Sequence, residues 1–151
     1  MRNLNLFIPG EPQGKAHLVP MMVRGHARAI AKQRPPQKAW TTLLVDCFSA
    51  AVERQDWELC ERGGIGLALV FVLPRPKRFC WKGHHAEPRH TCKPDAENLL
   101  NVVQNAGNGI LWRDDAQVCN ITELRKRYAH IGERCGLELT VTALGEWEGV
   151  Q

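Results

Sequence analysis

The chain of 151 residues lacks the features of membrane, secreted and repeat proteins. No apolar run approaches the roughly 18 residues that a membrane-spanning helix needs, so we expect no membrane anchor. The first ten residues do not show the charged, apolar and small-residue regions of a signal peptide. No internal repeat or low-complexity tract is present, which excludes a repeat architecture. Together these absences predict a cytoplasmic protein.

The six cysteines lack the Cys-x₂-Cys pair that standard zinc sites contain. A cytoplasmic location predicts that their thiols are reduced. One loop nevertheless gathers several residues of zinc-ligand type, so a zinc-stabilised nucleic-acid adaptor stays open as an alternative. The candidate zinc ligands in this loop are Cys80, His84, His85, His90 and Cys92.

Length and composition indicate one folded domain over residues 1–151. Hydrophobic residues make up 44% of the chain and charged residues 24%, which is typical of a globular rather than a disordered protein. A chain of this length is long enough to bury one substantial core. The net charge of +4 is compatible with a nucleic-acid partner but does not establish one.

Positive charge is concentrated in two segments. Residues 13–35 contain several basic residues and no acid, and we interpret this segment either as a DNA-contacting arm or as a solvated loop. Residues 75–93 form a second basic loop, in which Phe79 and Trp81 are interleaved with cations and only Glu87 opposes them. Such a loop suits a polyanionic substrate, because cations bind phosphates and aromatic rings stack on unpaired bases.

Apolar periodicity predicts four strands and two helices. The strands are expected at residues 3–8, 65–73, 117–128 and 137–143. One helix is expected at residues 37–54, and a second, of about three turns, begins at Asp95 and ends at Gly107-Asn108-Gly109. This order predicts an α+β fold, with two helices on a single layer of mixed β-sheet. Residues 145–151 are expected to form a loose tail.

Two acidic pairs flank the second helix. Asp95 and Glu97 open it, and Asp114 and Asp115 follow the turn after it. If the chain returns after the helix, the second pair meets the first, and the converging carboxylates then need a cation between them. A hard divalent ion, Mg²⁺ or Mn²⁺, suits such oxygen ligands. The alternative is that the first pair only favours the helix dipole and the second only forms a turn.

Two segments resemble the signature of the RusA family of Holliday-junction resolvases, which are phage-type crossover junction endodeoxyribonucleases. They are Lys-Pro-Asp-Ala-Glu-Asn-Leu-Leu at residues 93–100 and Leu-Trp-Arg-Asp-Asp-Ala-Gln-Val at residues 111–118. The Phe-Ile-Pro-Gly-Glu-Pro segment at residues 7–12 is also similar to the family's opening strand. The resemblance implies that Asp95, Glu97 and Asp115 are the catalytic metal-binding residues, with Asp114 beside them.

The resemblance also implies an activity and partners. It implies a RusA-like homodimer that cuts four-way DNA junctions by paired, Mg²⁺-dependent phosphodiester hydrolysis in DNA recombination and repair, with Mn²⁺ able to replace Mg²⁺. A two-fold homodimer would present two sites to a junction of approximate two-fold symmetry. The candidate DNA-binding residues are cations of the basic loop and of the region after the helix: Arg75, Lys77, Arg78, Lys82, Arg89, Lys93, Arg113, Arg125, Lys126 and Arg127.

The sequence departs from the family pattern at three positions of the helix, one of which is Asn105, where the family frequently has Asp. Glu97 replaces an Asp, which keeps the charge and adds one methylene. Asn101 replaces a Lys, which removes a candidate for contact with the phosphate. We therefore expect an enzyme that is slower than one with Lys at position 101. A junction-binding protein with weak or no catalysis stays open as a second alternative.

Overall fold

The computed structural model describes residues 1–80 and 89–146 and has an α+β fold. The strands are β1 (Arg2–Pro9), β2 (His17–Val23), β3 (His26–Lys32), β4 (Gly64–Leu73), β5 (Val118–Tyr128) and β6 (Gly136–Gly145). The helices are α1 (Pro35–Arg54) and α2 (Ala96–Gly107), and short 3₁₀ turns occur at Lys77–Phe79 and Asp115–Gln117. The predicted α+β class, with two helices and a mixed sheet, is confirmed.

The main sheet has the strand order β1-β6-β4-β5. Strand β6 pairs antiparallel with both β1 and β4, whereas β4 and β5 are parallel. Parallel neighbours need a crossover connection, and α2 lies in the connection between β4 and β5. These three elements therefore form a βαβ unit, in which α2 runs antiparallel to the two strands.

Both helices pack on one face of the main sheet. Alternate residues of the strands point into this core, as the period of two in a strand requires: Leu4, Ile8, Ile65, Leu67, Leu69, Phe71, Leu137, Leu139 and Val141. Each helix contributes a stripe with a spacing of three or four residues: Trp40, Leu44, Phe48 and Ala51 from α1, and Leu99, Val103 and Ala106 from α2. Within the described ranges, no helix is long and apolar enough to cross a membrane.

The basic segment at residues 13–35 differs from the prediction. The sequence predicts an arm or a solvated loop there, but the segment contains the antiparallel hairpin β2–β3. The two turn residues, Arg24 and Gly25, have φ angles of +50° and +76°, as a two-residue hairpin turn of type I′ requires. At the other end of the chain, β6 continues to Gly145. Most of the predicted tail, residues 147–151, lies outside the described residues.

The end of α2 is fixed by a tight turn around Trp112. The backbone N–H of Leu111 donates to the carbonyl oxygen of Gly107 at 2.9 Å. The Trp112 ring is fully buried, and its indole N–H donates to Asn108 Oδ1 at 2.9 Å. This turn brings the chain from the end of the helix to the start of β5.

Trp112 packs directly on the backbone of Gly107 at the end of α2, where there is no side chain. A Cβ atom at position 107 would lie within 2.7 Å of three atoms of the indole ring, closer than nonbonded carbon atoms approach. We expect Gly107→Ala to lower the free energy of unfolding by about 1–3 kcal/mol, although Ala is the better helix former. Urea unfolding measures this change.

Gly66→Ala is the matched control for this test. A Cβ atom at position 66 would have its nearest neighbours at 3.6 Å, an ordinary contact distance. The control should leave the free energy of unfolding almost unchanged. Equal losses in the two variants would contradict the steric explanation at position 107.

Candidate active site

The first acidic pair lies at the start of α2. Asp95 occupies the N-cap position, with extended backbone angles, as its residue type predicts. Its Oδ2 atom accepts a hydrogen bond from Lys93 Nζ at 2.6 Å. Glu97 lies in the first turn of the helix, and both acidic residues are exposed. Two carboxylates are therefore available to solvent at one end of the helix.

The start of α2 is held at the C-terminal ends of β4 and β5. Lys126, near the end of β5, donates from Nζ to the carbonyl oxygens of Cys92 at 2.6 Å and Pro94 at 2.9 Å. A cavity of about 360 Å³ at this end is lined by residues that follow β4, by the start of α2 and by four basic residues. The basic residues are Lys15, Arg34, His90 and Lys93, and the acidic Glu11 also lines the cavity.

The second acidic pair lies at the opposite end of the βαβ unit. Asp114 caps the short 3₁₀ turn that contains Asp115. In the same turn, Gln117 Nε2 donates to the carbonyl oxygens of Cys60 at 3.1 Å and Gly63 at 3.2 Å. Because Cys60 and Gly63 directly precede β4, this turn lies at the N-terminal ends of β4 and β5.

The length of α2 separates the two acidic pairs. Its 12 residues span about 18 Å at a rise of 1.5 Å per residue. In residues 1–80 and 89–146, no group of three or more His, Cys, Asp or Glu side chains is placed to hold a metal ion. The expectation that both pairs meet within one chain is therefore wrong, because a crossover helix keeps its two connections at opposite ends of the strands. Metal binding by Asp95, Glu97, Asp114 and Asp115 stays a prediction.

The predicted zinc loop is described only in part. His84 and His85 lie in residues 81–88, outside the described residues. Cys80 is exposed, and its Sγ atom lies 3.4 Å from the carbonyl oxygen of Pro76. Among the residues described, its thiol therefore contacts the backbone of its own loop.

The other two candidate zinc ligands contact Tyr128 at the end of β5. Cys92 Sγ lies 3.3 Å from the Tyr128 hydroxyl and 3.7 Å from His90 Nε2. Burial, together with the nearby charge of Lys126, lowers the pKa of His90. The lowered pKa favours the neutral imidazole, which packs against the Tyr128 ring at a centroid distance of 4.8 Å.

The structure sorts the ten predicted DNA-binding residues into three groups. Six are exposed: Lys77, Arg78, Arg89, Lys93, Arg113 and Arg125. Three are buried or half-buried: Arg75, Lys126 and Arg127. Lys82 lies outside the described residues. The first group is placed to contact a large substrate, whereas the second group makes contacts within the protein.

Arg75 and Arg127 connect loops to the sheet. The Arg75 guanidinium donates to the carbonyl oxygens of Phe79 at 2.7 Å and Ala129 at 3.0 Å. Arg127 is 7% exposed and forms a two-bond pair with the Glu133 carboxylate at 2.6 and 2.8 Å. A buried guanidinium that is paired in this way does not reach a phosphate, so we reassign Arg127 from DNA binding to a structural role.

Asn101 lies on the second turn of α2. Its Oδ1 atom accepts a hydrogen bond from Asn105 Nδ2 at 3.1 Å. It lines a cavity of about 290 Å³ between α2, α1 and the root of the hairpin, together with Lys15 and Gln37. Lys15 is thus the cation beside the position where the family pattern has Lys, and the sequence reasoning did not single it out. The effect of Asn101 on the rate stays a prediction.

The fold and the site together define a class of protein. It is an α+β protein whose exposed acidic helix start lies beside a rim of cations, an arrangement suited to a polyanionic substrate. The family model described as Endodeoxyribonuclease RusA matches residues 9–142, which contain both acidic pairs and all ten predicted DNA-binding residues. No curated protein matches the chain at a significant level.

The chain belongs to the RusA family, as its two signature segments predict. It is therefore an endodeoxyribonuclease of the Holliday-junction resolvase type, and its substrate class is branched DNA.

The pair of Arg127 and Glu133 makes the stability of the protein depend on pH. The Arg127 guanidinium lowers the pKa of Glu133 from its ordinary value of 4.5 to about 2. A carboxyl group whose pKa is depressed in the folded state stabilises the protein above its unfolded pKa, and this stabilisation is lost as the pH falls through the folded pKa. We expect Glu133→Gln to lower the free energy of unfolding at pH 7 by about 1–3 kcal/mol, because a buried charge is left without its partner.

Urea unfolding at pH 7 and at pH 2.5 measures this effect. The difference between wild type and Glu133→Gln should shrink at the lower pH. The matched control is Glu123→Gln, because Glu123 pairs with Arg125 at 3.5 Å and both side chains are about half exposed. A loss for Glu133→Gln that is independent of pH would contradict the assigned pair.

Proposed function

We propose that the protein is a metal-dependent resolvase that cuts four-way DNA junctions by paired phosphodiester hydrolysis in recombination and repair. The observation that carries this proposal is the exposed acidic start of α2 in a chain of this family, with Lys93 beside Asp95 and with Lys15 and Arg34 lining the adjacent cavity. Charge and counterion release would supply most of the affinity. Phosphate positions, rather than base identity, would set the register of the DNA.

The donor set at the start of α2 has the chemistry of a divalent-metal site. Asp95 and Glu97 offer carboxylate oxygens, the ligands that Mg²⁺ and Mn²⁺ take in proteins. The Asp95 carboxylate is paired with Lys93, and a metal ion bound there would replace this contact. When bound, such an ion polarises a phosphate and lowers the pKa of a water molecule. Within one chain the third predicted ligand, Asp115, lies at the other end of the helix.

We infer that a second copy of the chain completes the site. Strand β5 is at one end of the strand order, and residues 119–125 are all exposed, including Ile121 and Leu124. The isolated antiparallel β-bridge between the backbones of Arg89 and Arg127 lies on the C-terminal side of this exposed stretch. A strand that pairs with its own copy across a two-fold axis must be antiparallel. The start of β5 in one subunit would then lie beside the end of β5 in the other.

This pairing accounts for both the metal site and the paired cuts. It would bring Asp115 of one subunit towards Asp95 and Glu97 of the other. The dimer would contain two such sites, related by its two-fold axis. On a bound junction this axis would coincide with the approximate two-fold axis of the DNA, so that each site would face one of two equivalent strands. The exposed cations Lys77 and Arg78 would hold the DNA on each side.

Mixed dimers test whether the site is shared between subunits. We expect Asp95→Asn and Asp115→Asn each to abolish cutting but to spare junction binding, since removing a negative charge does not weaken attraction to phosphate. After subunit exchange between the two variants, each heterodimer would have one intact site. Statistical exchange should restore about a quarter of wild-type nicking, as single rather than paired nicks.

Asp95→Asn mixed with Glu97→Gln is the matched control, because both residues lie at the same end of α2 and no heterodimer of these variants has an intact site. Exchange is verified with two subunits of different size. Complete inactivity of the Asp95→Asn and Asp115→Asn mixture would place each site within one subunit. A monomer that makes coupled nicks would refute the dimer itself.

Lys77 and Arg78 test the interaction of the basic loop with DNA. We expect the double variant Lys77→Ala/Arg78→Ala to weaken binding to junction and duplex alike. The log–log salt dependence should fall by about one unit for each phosphate that the variant no longer binds. Fluorescence anisotropy over a salt series measures both quantities. The double variant Arg2→Ala/Arg54→Ala removes the same charge elsewhere, and an equal salt dependence in the two double variants would argue against a specific role of the loop.

A further inference from the structure

The hairpin β2–β3 forms a two-stranded sheet of its own, apart from the main sheet. Its strands pair from His17 with Lys32 to Val23 with His26. Residues 20–30 are exposed, apart from the half-buried Val23. A lone hairpin is only marginally stable in water, so a partner surface would stabilise it.

One face of the hairpin is apolar. Residues that are directly paired in an antiparallel sheet share a face, and the pairs Pro20–Ala29 and Met22–Ala27 place four apolar residues on the same side. Leu18 belongs to the same row, because alternate residues of a strand share a face. Leu18 is 68% exposed and Met22 is 70% exposed. Grouped exposed apolar side chains of this kind are typical of interaction surfaces.

The other face and the turn carry positive charge. Arg28 lies on the opposite face together with the apolar Met21, Val23 and Ile30, and Arg24 is the first residue of the turn. Residues 12–45 contain no acid. The hairpin therefore combines one apolar face with a mixed second face and a turn that carry cations and no acid. Unstacked nucleic acid offers the matching combination, because its bases have apolar faces and its backbone is anionic.

The root of the hairpin is attached to the start of α2. The backbone N–H of Lys15 donates to the carbonyl oxygen of Asn98 at 3.2 Å. A Cβ atom on Gly14 would lie 3.1 Å from Pro94 Cβ and 3.3 Å from Asn98 Cβ, so the loop packs closely on the helix. Gln37 Nε2 also donates to the carbonyl oxygen of Gly14, at 3.4 Å. DNA held by the hairpin therefore lies next to the exposed carboxylates of α2.

We propose that the hairpin β2–β3 enters the branch point of a four-way junction, with its apolar face against exposed base pairs and its cations on the flanking phosphates. This inference rests on the proposed junction substrate, and it assigns to the hairpin the task of distinguishing a junction from a duplex. A duplex stacks its base faces, whereas a branch point exposes the base pairs that end each arm. Leu, Met and Pro are among the side chains that DNA-binding proteins insert against unstacked bases.

The dimensions of the hairpin fit this role. A strand of seven residues is about 23 Å long, which exceeds the width of about 12 Å of the major groove. A two-stranded ribbon also fits within that groove. The hairpin is therefore long enough to extend from the helix start into the centre of a junction.

The test compares apolar and polar versions of the hairpin face. The double variant Leu18→Ser/Met22→Ser keeps every charge and the turn. Binding is measured, without divalent metal, to a junction with 2-aminopurine at the branch point and to a duplex of the same sequence. We expect wild type to raise the 2-aminopurine fluorescence. In the variant this rise should disappear and junction affinity should fall about ten-fold or more, because the bases no longer meet an apolar surface, while duplex affinity stays within about two-fold.

Two further variants make the result specific. Ile131→Ser removes another exposed apolar side chain, 62% exposed, between β5 and β6, and should leave junction binding unchanged. Arg24→Ala/Arg28→Ala should weaken binding to junction and duplex alike, because both contain phosphates. Coincident urea unfolding curves show that the variants are folded.

The outcomes separate this inference from the proposed function. If Leu18→Ser/Met22→Ser retains junction affinity and the fluorescence rise, the hairpin does not enter the branch point, and the junction preference of wild type still stands. If this variant sediments as a monomer where wild type is a dimer, the apolar face binds a second copy and the inference is overturned. A wild type without preference for the junction overturns the proposed function instead.

Discussion

The parallel pairing of β4 with β5 is the constraint on which the arrangement of this protein depends. Two parallel neighbours need a crossover, and α2 is that crossover. The helix packs Leu99 and Val103 into the core, which fixes its direction along the strands. Its N-terminus, with Asp95 and Glu97, therefore lies where the strands end. The turn that contains Asp115 lies where they begin. A metal site built from all three carboxylates thus calls for a second chain.

Positive charge has two separate uses in this molecule. Lys126 and Arg127 extend from the end of β5 to partners within the protein, and Arg75 ties the basic loop to Ala129. These interactions hold the connections around the start of α2 in place. The exposed cations, such as Lys77 and Arg78, lie on the surface of their loop, where a bound phosphate backbone could reach them. The first set positions the start of α2, and in the proposed function the second set would recognise the charge of DNA.

In the inference drawn above, the hairpin β2–β3 would recognise the shape of the DNA. Its root is packed on α2 through Gly14 and Lys15, so it has a defined position relative to the acidic residues. Its strands carry the exposed side chains of Leu18 and Met22, and contact of these apolar side chains with water is unfavourable. The apolar face, with cations nearby, would suit DNA whose bases are partly unstacked, because the bases offer apolar faces and the backbone offers negative charge. The junction would then be recognised by an element separate from the carboxylates.

The sequence by itself determined the local elements, the family and the residue types of the candidate site. Apolar periodicity located α1, α2 and the core strands, and the N-cap type of Asp95 placed the helix start, because these signals act between residues close in the chain. The sequence did not reveal the hairpin, although Arg24-Gly25 is a turn signal, since its strands lack a buried face that would produce clear alternation. Only the tertiary structure decided that Asp115 lies far from Asp95 and that Arg127 is buried, because both depend on which strands pair and in which direction.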